Sequence, residues 1–174
     1  MKAFGIDQST LATGLIVIEG TIQAPPTLLF AETFKPKKLD GMKRVSAIVG
    51  RILEVRDHFC PNVLAVENYG LSMKHKSSII PLVSLGAVLR YYLEQEGIPY
   101  LAPTPGEHKR FIAGNGNTPK DRIPEHVLEN WGFDAPDGDQ ADAYGLACIA
   151  LGTKNQLADM NLIQREVAWG LKFL

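Results

Sequence analysis

Residues 3–18 read AFGIDQSTLATGLIVI, and this stretch sets the architecture that the rest of the chain follows. The apolar residues 3–6 predict a buried strand that ends at Asp7, after which a polar turn follows. Residues 15–18 predict a second strand, because β-branched side chains are stiff at χ1 and favour extended backbone. A third apolar run at residues 27–31 completes a predicted antiparallel meander.

Helices and strands alternate after this meander. Asp40 is a candidate N-cap for an amphipathic helix with apolar residues at three- and four-residue spacing, which Pro61 ends. Residues 63–66 form a compact apolar run that predicts a central strand, and Glu67 follows that strand directly. A second, long helix is predicted to start with Ser78 as its cap.

The C-terminal half continues the alternation. A short strand is predicted at residues 100–102, and Pro and Gly residues punctuate the connecting stretch 103–119. A last core helix is predicted to start near Asp137, and residues 156–174 form a possible helical tail. The order of elements predicts one α/β domain over residues 1–174, in which helices flank a mixed five-stranded sheet.

Composition argues against a disordered, secreted or membrane-spanning protein. The 174 residues are 45% hydrophobic and carry a formal net charge of -1, so any argument for a nucleic-acid partner has to be local. Cys60 and Cys148 form no CxxC pair, which favours reduced thiols. The N-terminus lacks the apolar core of a signal peptide and no run has the length of a membrane span, so we expect a cytoplasmic location.

Four acids are placed where they can meet. Asp7 and Glu67 each follow an apolar strand, and Asp139 and Asp142 lie three residues apart at the start of the last core helix, on one face. Clustered negative charges raise each other's pKa and are costly without cations. Carboxylate oxygens favour Mg²⁺ or Mn²⁺, and two such ions catalyse in-line displacement at phosphate. The pattern therefore predicts hydrolysis of a phosphodiester.

Each acid also has an ordinary structural interpretation. Asp7 alone fits a turn residue, and Glu67 alone fits a salt-bridge partner. Asp139 and Asp142 alone fit a helix start, where negative charge complements the helix dipole. The joint pattern of four acids favours the metal site over these alternatives.

Three segments occur in order along the chain: GIDQSTLATG around Asp7, AVENYG around Glu67, and DGDQADAYGLA around Asp139 and Asp142. Together they resemble the RuvC-type Holliday junction resolvases of the RNase H-like nuclease superfamily, including members encoded by bacteriophages. The resemblance implies an RNase H-like fold and two-metal nicking of four-way or other branched DNA. It implies that the four acids bind two Mg²⁺ ions, with Mn²⁺ as a substitute. A twofold-symmetric junction further implies a homodimer.

The resemblance extends to basic and aromatic positions. Lys109 and Lys120 stand where such resolvases carry lysines that act near the scissile phosphate. Gln8 stands where the family usually has a proline after its first aspartate, so the turn geometry differs. Tyr69 is the nearest candidate for the aromatic wedge of the family, with a half-buried tyrosine at a strand exit as the alternative.

Local basic clusters support a DNA partner. They comprise Lys35, Lys37, Lys38, Lys43 and Arg44 in one group, Lys74 and Lys76 in a second, and Lys109, Arg110, Lys120 and Arg122 in a third. The last two groups, with Tyr69, are the predicted DNA-binding residues. Two alternative functions remain at this point: a nuclease that acts on RNA/DNA hybrids, and a junction-binding protein that cuts nothing.

Overall fold

The computed structural model describes residues 1–68 and 76–174, with side chains in the second segment described from Ile80 onward. A five-stranded sheet runs through its centre in the order β3-β2-β1-β4-β5. The strands are β1 Lys2–Asp7, β2 Thr13–Thr21, β3 Ala24–Phe34, β4 Val63–Val66 and β5 Tyr100–Leu101. The first three pair antiparallel, whereas β1, β4 and β5 pair parallel. The predicted mixed five-stranded sheet with flanking helices is confirmed.

Helices cover both faces of the sheet. They are α1 Gly41–Phe59, α2 Lys76–Gln95, α3 Pro105–Ala113, α4 Ile123–Trp131, α5 Gly138–Thr153 and α6 Leu162–Gly170, with a 3₁₀ turn at Lys120–Arg122. Side chains alternate along β1, where Ala3 faces the core under α3 to α6 and Phe4 faces the core under α1 and α2. Because both faces are buried, these strands read as continuous apolar runs.

Parallel pairing of β1 with β4 brings two of the acids to one edge. Ile6 pairs with Val66, so Asp7 and Glu67 follow at the same end of neighbouring strands. Antiparallel pairing places Gly14 opposite Asp7 on the other side. The sheet therefore gathers residues that are about sixty positions apart in sequence.

Three elements differ from the sequence prediction. Helix α2 begins at Lys76, before Ser78, so Ser78 is not its cap and Pro81 lies inside the helix. Helix α3 occupies Pro105–Ala113, within the stretch that was predicted to be a connection. Strand β3 extends over Pro25 and Pro26, which an edge strand tolerates because one side has no ladder partner.

The C-terminal residues pack on the domain through α6, which contacts α3 and α5. Val167 and Ala168 are buried there, while the Trp169 ring is more than half exposed and donates a hydrogen bond to Asn155. In residues 1–68 and 76–174, we find no helix with both the length and the apolar character needed to span a bilayer.

Candidate active site

The start of α5 brings Asp139 and Asp142 toward the end of β1. Asp137 is the N-cap: one carboxylate oxygen accepts a hydrogen bond from the Gln140 N–H at 2.9 Å, and the other accepts one from the Thr33 hydroxyl at 2.6 Å. The helix start is thus tied to β3. Because Asp137 meets the capping need, Asp139 and Asp142 are left to project from the first two turns.

Two strand glycines let α5 lie directly against the sheet. A Cβ on Gly14 would come within 2.0 Å of the Asp139 carbonyl oxygen, and one on Gly5 within 1.9 Å of the Ala143 carbonyl oxygen. No side chain fits in either place. Close approach at these two positions is what brings the helix acids to the strand acid Asp7.

Lys120 lies among three of the acids. Its Nζ is 2.9 Å from an Asp142 oxygen, 3.7 Å from an Asp7 oxygen and 4.0 Å from an Asp139 oxygen. The lysine belongs to the 3₁₀ turn before α4, and its side chain is 60% exposed. Asp7 and Asp142 are buried, so a solvent-facing cation covers a buried cluster of acids.

The electrostatics of this cluster show that the acids are crowded. Burial raises the pKa of Asp7 to about 8, the negative charges of Asp142 and Glu67 add to that rise, and Lys120 opposes it. Burial raises the pKa of Asp139 as well. Burial lowers the pKa of Lys120, but its acid neighbours outweigh this effect and raise it overall. A further cation would relieve this crowding.

Glu67 has a different partner, His108 of α3. Its Oε1 lies 3.2 Å from His108 Nδ1, and the His108 side chain is almost fully buried. Burial lowers the pKa of His108, but the hydrogen bond and charge of Glu67 outweigh that effect and raise it overall. The sequence prediction missed His108. The signal was present in Thr104 and Glu107, a T-x-x-E capping box that predicts the helix carrying it.

The predicted DNA-binding residues fall into four groups. Lys120 lies with the acids, whereas Lys109 is half-buried and has no ion pair with an acid among the residues that the structure describes. Arg110 pairs with Glu166, and Arg122 pairs with Glu125. Tyr69 and Lys74 lie outside the described residues, as does the side chain of Lys76, at the first position of α2.

The carboxylate oxygens of this cluster are suitable ligands for a hard cation, although they do not already have the spacing of a metal site. In the described part of the chain, no three carboxylate, imidazole or thiolate groups already have the spacing of a metal site. The Lys120 ammonium stands between Asp7, Asp139 and Asp142, each of which has an oxygen within 4.0 Å of it. A cation is therefore already part of the cluster, and oxygen donors are the ligands that Mg²⁺ prefers.

Comparison with known proteins agrees with this fold. A "Thermus thermophilus RuvC structure" matches with a TM-score of 0.72 and 25% identity, over 84% of this chain and 91% of that one. "T. thermophilus RuvC in complex with Holliday junction substrate" matches with a TM-score of 0.67 and 26% identity, over 84% and 90%. A crossover junction endodeoxyribonuclease RuvC from Hydrogenovibrio crunogenus is 28% identical, over 99% of this chain and 97% of its own length.

These matches define the class as an RNase H-like nuclease. The family model described as crossover junction endodeoxyribonuclease RuvC matches residues 3–150, and the chain belongs to that family. Nucleases of this family depend on a metal ion. The resemblance read from the three acid-bearing segments is thus confirmed at the level of the family.

Proposed function

We propose that this protein is a metal-dependent endonuclease that nicks four-way junctions or other branched DNA. One observation carries the proposal: Asp7, Asp139 and Asp142, from a strand and a helix, converge on a single cationic group. Family membership and the similarity to a RuvC bound to a Holliday junction support the substrate. Residues 1–174 work as one domain in this proposal, and the DNA substrate favours a cytoplasmic location.

Asp7, Glu67, Asp139 and Asp142 would hold the metal, as two Mg²⁺ ions for which Mn²⁺ can substitute. When bound, such ions neutralise charge on the attacking and leaving oxygens of an in-line displacement at phosphorus. The protein contributes the positions of the oxygens. β1 and β4 fix Asp7 and Glu67 at one edge, and α5 is held to that edge by the tight contacts at Gly5 and Gly14.

Lys120 supplies a mobile positive charge beside the reacting phosphate. Its long side chain starts from the turn before α4 and is 60% exposed. An ammonium that leaves the acids can pair with a phosphate oxygen at the same opening. We assign a related role to Lys109, which is next to His108 on α3.

The remaining basic residues contribute affinity for DNA without specificity for its base sequence. Lys109, Arg110 and Arg122 lie on α3 and the turn before α4, and Lys35 is close enough to the acids for its charge to lower the pKa of Asp139. Contacts of this kind are to phosphate, so binding should weaken steeply with salt. Tyr69, Lys74 and Lys76 stay predicted DNA contacts on the strength of their sequence positions.

Symmetric nicking of a four-way junction calls for two active sites, and we propose a homodimer. Helix α2 exposes apolar side chains, with Ile80 74% and Tyr91 60% accessible. Ile80 also lines a largely apolar cavity of about 280 Å³ with Met42 of α1. A second copy of the chain that packs on α2 would bury this surface.

The test compares four-way DNA, linear duplex and RNA/DNA hybrid in one assay with Mg²⁺, Mn²⁺ or EDTA. We expect nicking of the four-way DNA only with metal. Asp7→Asn should bind the junction as the wild type does but cut it about 100- to 1,000-fold more slowly, because the strand acid is lost from the cluster. The control is Asp57→Asn, an exposed acid at the far end of α1, which should cut normally.

Other outcomes identify the alternatives. Preference for the hybrid would replace the junction substrate with RNA/DNA. Tight junction binding without cleavage in any metal would indicate a non-catalytic binding protein. Equal cleavage by Asp7→Asn and the wild type would remove Asp7 from the mechanism.

A further inference from the structure

We propose that His108 is a positioning residue that fixes the Glu67 carboxylate in the orientation needed for metal binding. The inference rests on the proposed function, in which Glu67 is a metal ligand. It adds a residue outside the set of acids and lysines that carries the family resemblance.

The direction of the hydrogen bond follows from the proposed role of Glu67. A carboxylate that binds a metal is ionised and only accepts, so with Glu67 in that state His108 Nδ1–H donates to Glu67 Oε1 across the 3.2 Å contact. Within the described residues, Nε2 of the same ring has no hydrogen-bond partner. The contact with Glu67 is therefore the polar contact that accounts for a histidine in this buried place.

The surrounding structure is shaped to hold the ring. Thr104 and Glu107 form a reciprocal capping box that fixes the first turn of α3, and His108 follows directly. On the other side, a Cβ on Gly145 of α5 would lie 2.2 Å from Ile112 Cδ1 and 2.9 Å from His108 Nε2. Gly145 thus leaves the space that the Ile112 side chain and the His108 ring fill together, and this packing holds the ring beside Glu67.

The backbone of Glu67 is held from two more directions. Gln8 donates from its side-chain amide to the Glu67 carbonyl at 2.8 Å, and the Asn68 N–H donates to the Pro103 carbonyl at 2.8 Å. With main chain and side chain both restrained, Glu67 loses little freedom when it binds a metal. Hydrogen-bonded partners behind ligating groups are worth 10–100-fold in metal affinity in typical sites.

The experiment measures Mn²⁺ binding by isothermal titration calorimetry on the full chain without DNA. His108→Phe keeps the ring and loses the donor, so we expect about 10–100-fold weaker Mn²⁺ binding. His108→Asn loses the ring but keeps a side-chain N–H near the position of Nδ1, and it should recover most of the affinity. Phe111→Leu is the control, because the Phe111 ring is buried on α3 and stacks on Trp131: it should lower the melting temperature and leave Mn²⁺ affinity unchanged.

A double-mutant cycle separates positioning from general damage. If His108 acts through Glu67, His108→Phe should have no further effect on Mn²⁺ binding in a Glu67→Gln background. Unchanged affinity in His108→Phe, or an equal loss in the Glu67→Gln background, would overturn the inference. If His108→Phe does not fold, His108→Leu takes its place in the same cycle. Absence of Mn²⁺ binding to the wild type would instead count against the proposed function.

Discussion

The two halves of the acid cluster differ in the basic side chain that each one meets. Asp7, Asp139 and Asp142 face Lys120, whose side chain is 60% exposed and reaches in from a turn. Glu67 faces His108, whose side chain is 1% exposed and belongs to a packed helix. The Lys120 ammonium, at the end of a long and mostly exposed side chain, can move away from the acids, whereas the buried His108 ring cannot. The first half can therefore exchange its cation, and the second half can only hold its acid in place.

The raised pKa of Asp7 supports the same distinction between the two halves. Burial, with the charge of Asp142, raises the pKa of Asp7 to about 8, even though Lys120 opposes the rise. The lysine half is thus short of positive charge, which is the condition that favours uptake of a divalent cation. We infer that the lysine half supplies most of the negative charge that attracts the metal, whereas the histidine half fixes the orientation of one ligand, Glu67, on which metal affinity also depends.

The largest effect that tests this comparison is that of Lys120→Met. Loss of the ammonium should slow junction cleavage about 100-fold, the range found when one charge-stabilising group is removed from an active site. The same substitution should tighten Mn²⁺ binding about tenfold, equal to about 1.4 kcal/mol, because the metal no longer displaces an ammonium from the acids. Cleavage assays and calorimetry measure the two quantities separately.

In Lys120→Met the cleavage rate is expected to fall while the Mn²⁺ affinity rises, so this prediction is easy to contradict. Weaker Mn²⁺ binding in Lys120→Met would show that the lysine supports the metal site rather than competing with it. Arg122→Gln is the matched control, since Arg122 is two residues away and pairs with Glu125. It should leave Mn²⁺ affinity as it is in the wild type.

A smaller effect concerns stability against pH in EDTA. The folded-state pKa of Asp7 is raised from 3.8 to about 8, so the folded chain holds a proton that the unfolded chain releases. Stability of the metal-free protein should fall as the pH rises from about 4 to about 8. Asp7→Asn should lack the loss of stability that comes from ionising Asp7. Each kcal/mol of unfolding free energy that the variant retains corresponds to about 2–4 °C in melting temperature.

Thermal unfolding of the two proteins at several pH values provides the measurement. Their melting temperatures should converge near about pH 4 and separate as the pH rises, with Asp7→Asn the more stable. A constant difference across that range would mean that Asp7 does not titrate as the buried geometry requires. Added Mn²⁺ should narrow the separation, because metal binding stabilises the wild type.

Much of the architecture could be predicted because the decisive signals are local. Apolar runs that stop at Asp7 and Glu67 predict both the strands and the positions of the acids. The spacing of Asp139 and Asp142 predicts a shared helix face. Parallel pairing of β1 with β4, which the order of elements along the chain allows, then brings Asp7 and Glu67 together.

The parts that were missed depend on contacts distant in sequence. Helix α3 was hidden because Pro105 and Gly106 resemble loop residues, although Pro is favoured in a first helical turn after a Thr cap. The role of His108 follows from its burial between Glu67 and Gly145, which no local pattern encodes. The contacts at Gly5 and Gly14 likewise become visible only when α5 is in place.

The smallest expected effect is that of Lys109→Ala. Neighbouring helical residues point about 100° apart, so while His108 faces the acids, Lys109 lies to the side of the cluster, half-buried. We expect the junction cleavage rate to fall about tenfold or less, with junction affinity within about twofold, because the charge acts on the phosphate from a distance. Single-turnover cleavage and junction binding at one salt concentration measure both. A loss of affinity with an unchanged cleavage rate would make Lys109 a contact to the DNA backbone, and only Lys120 would then remain beside the reacting phosphate.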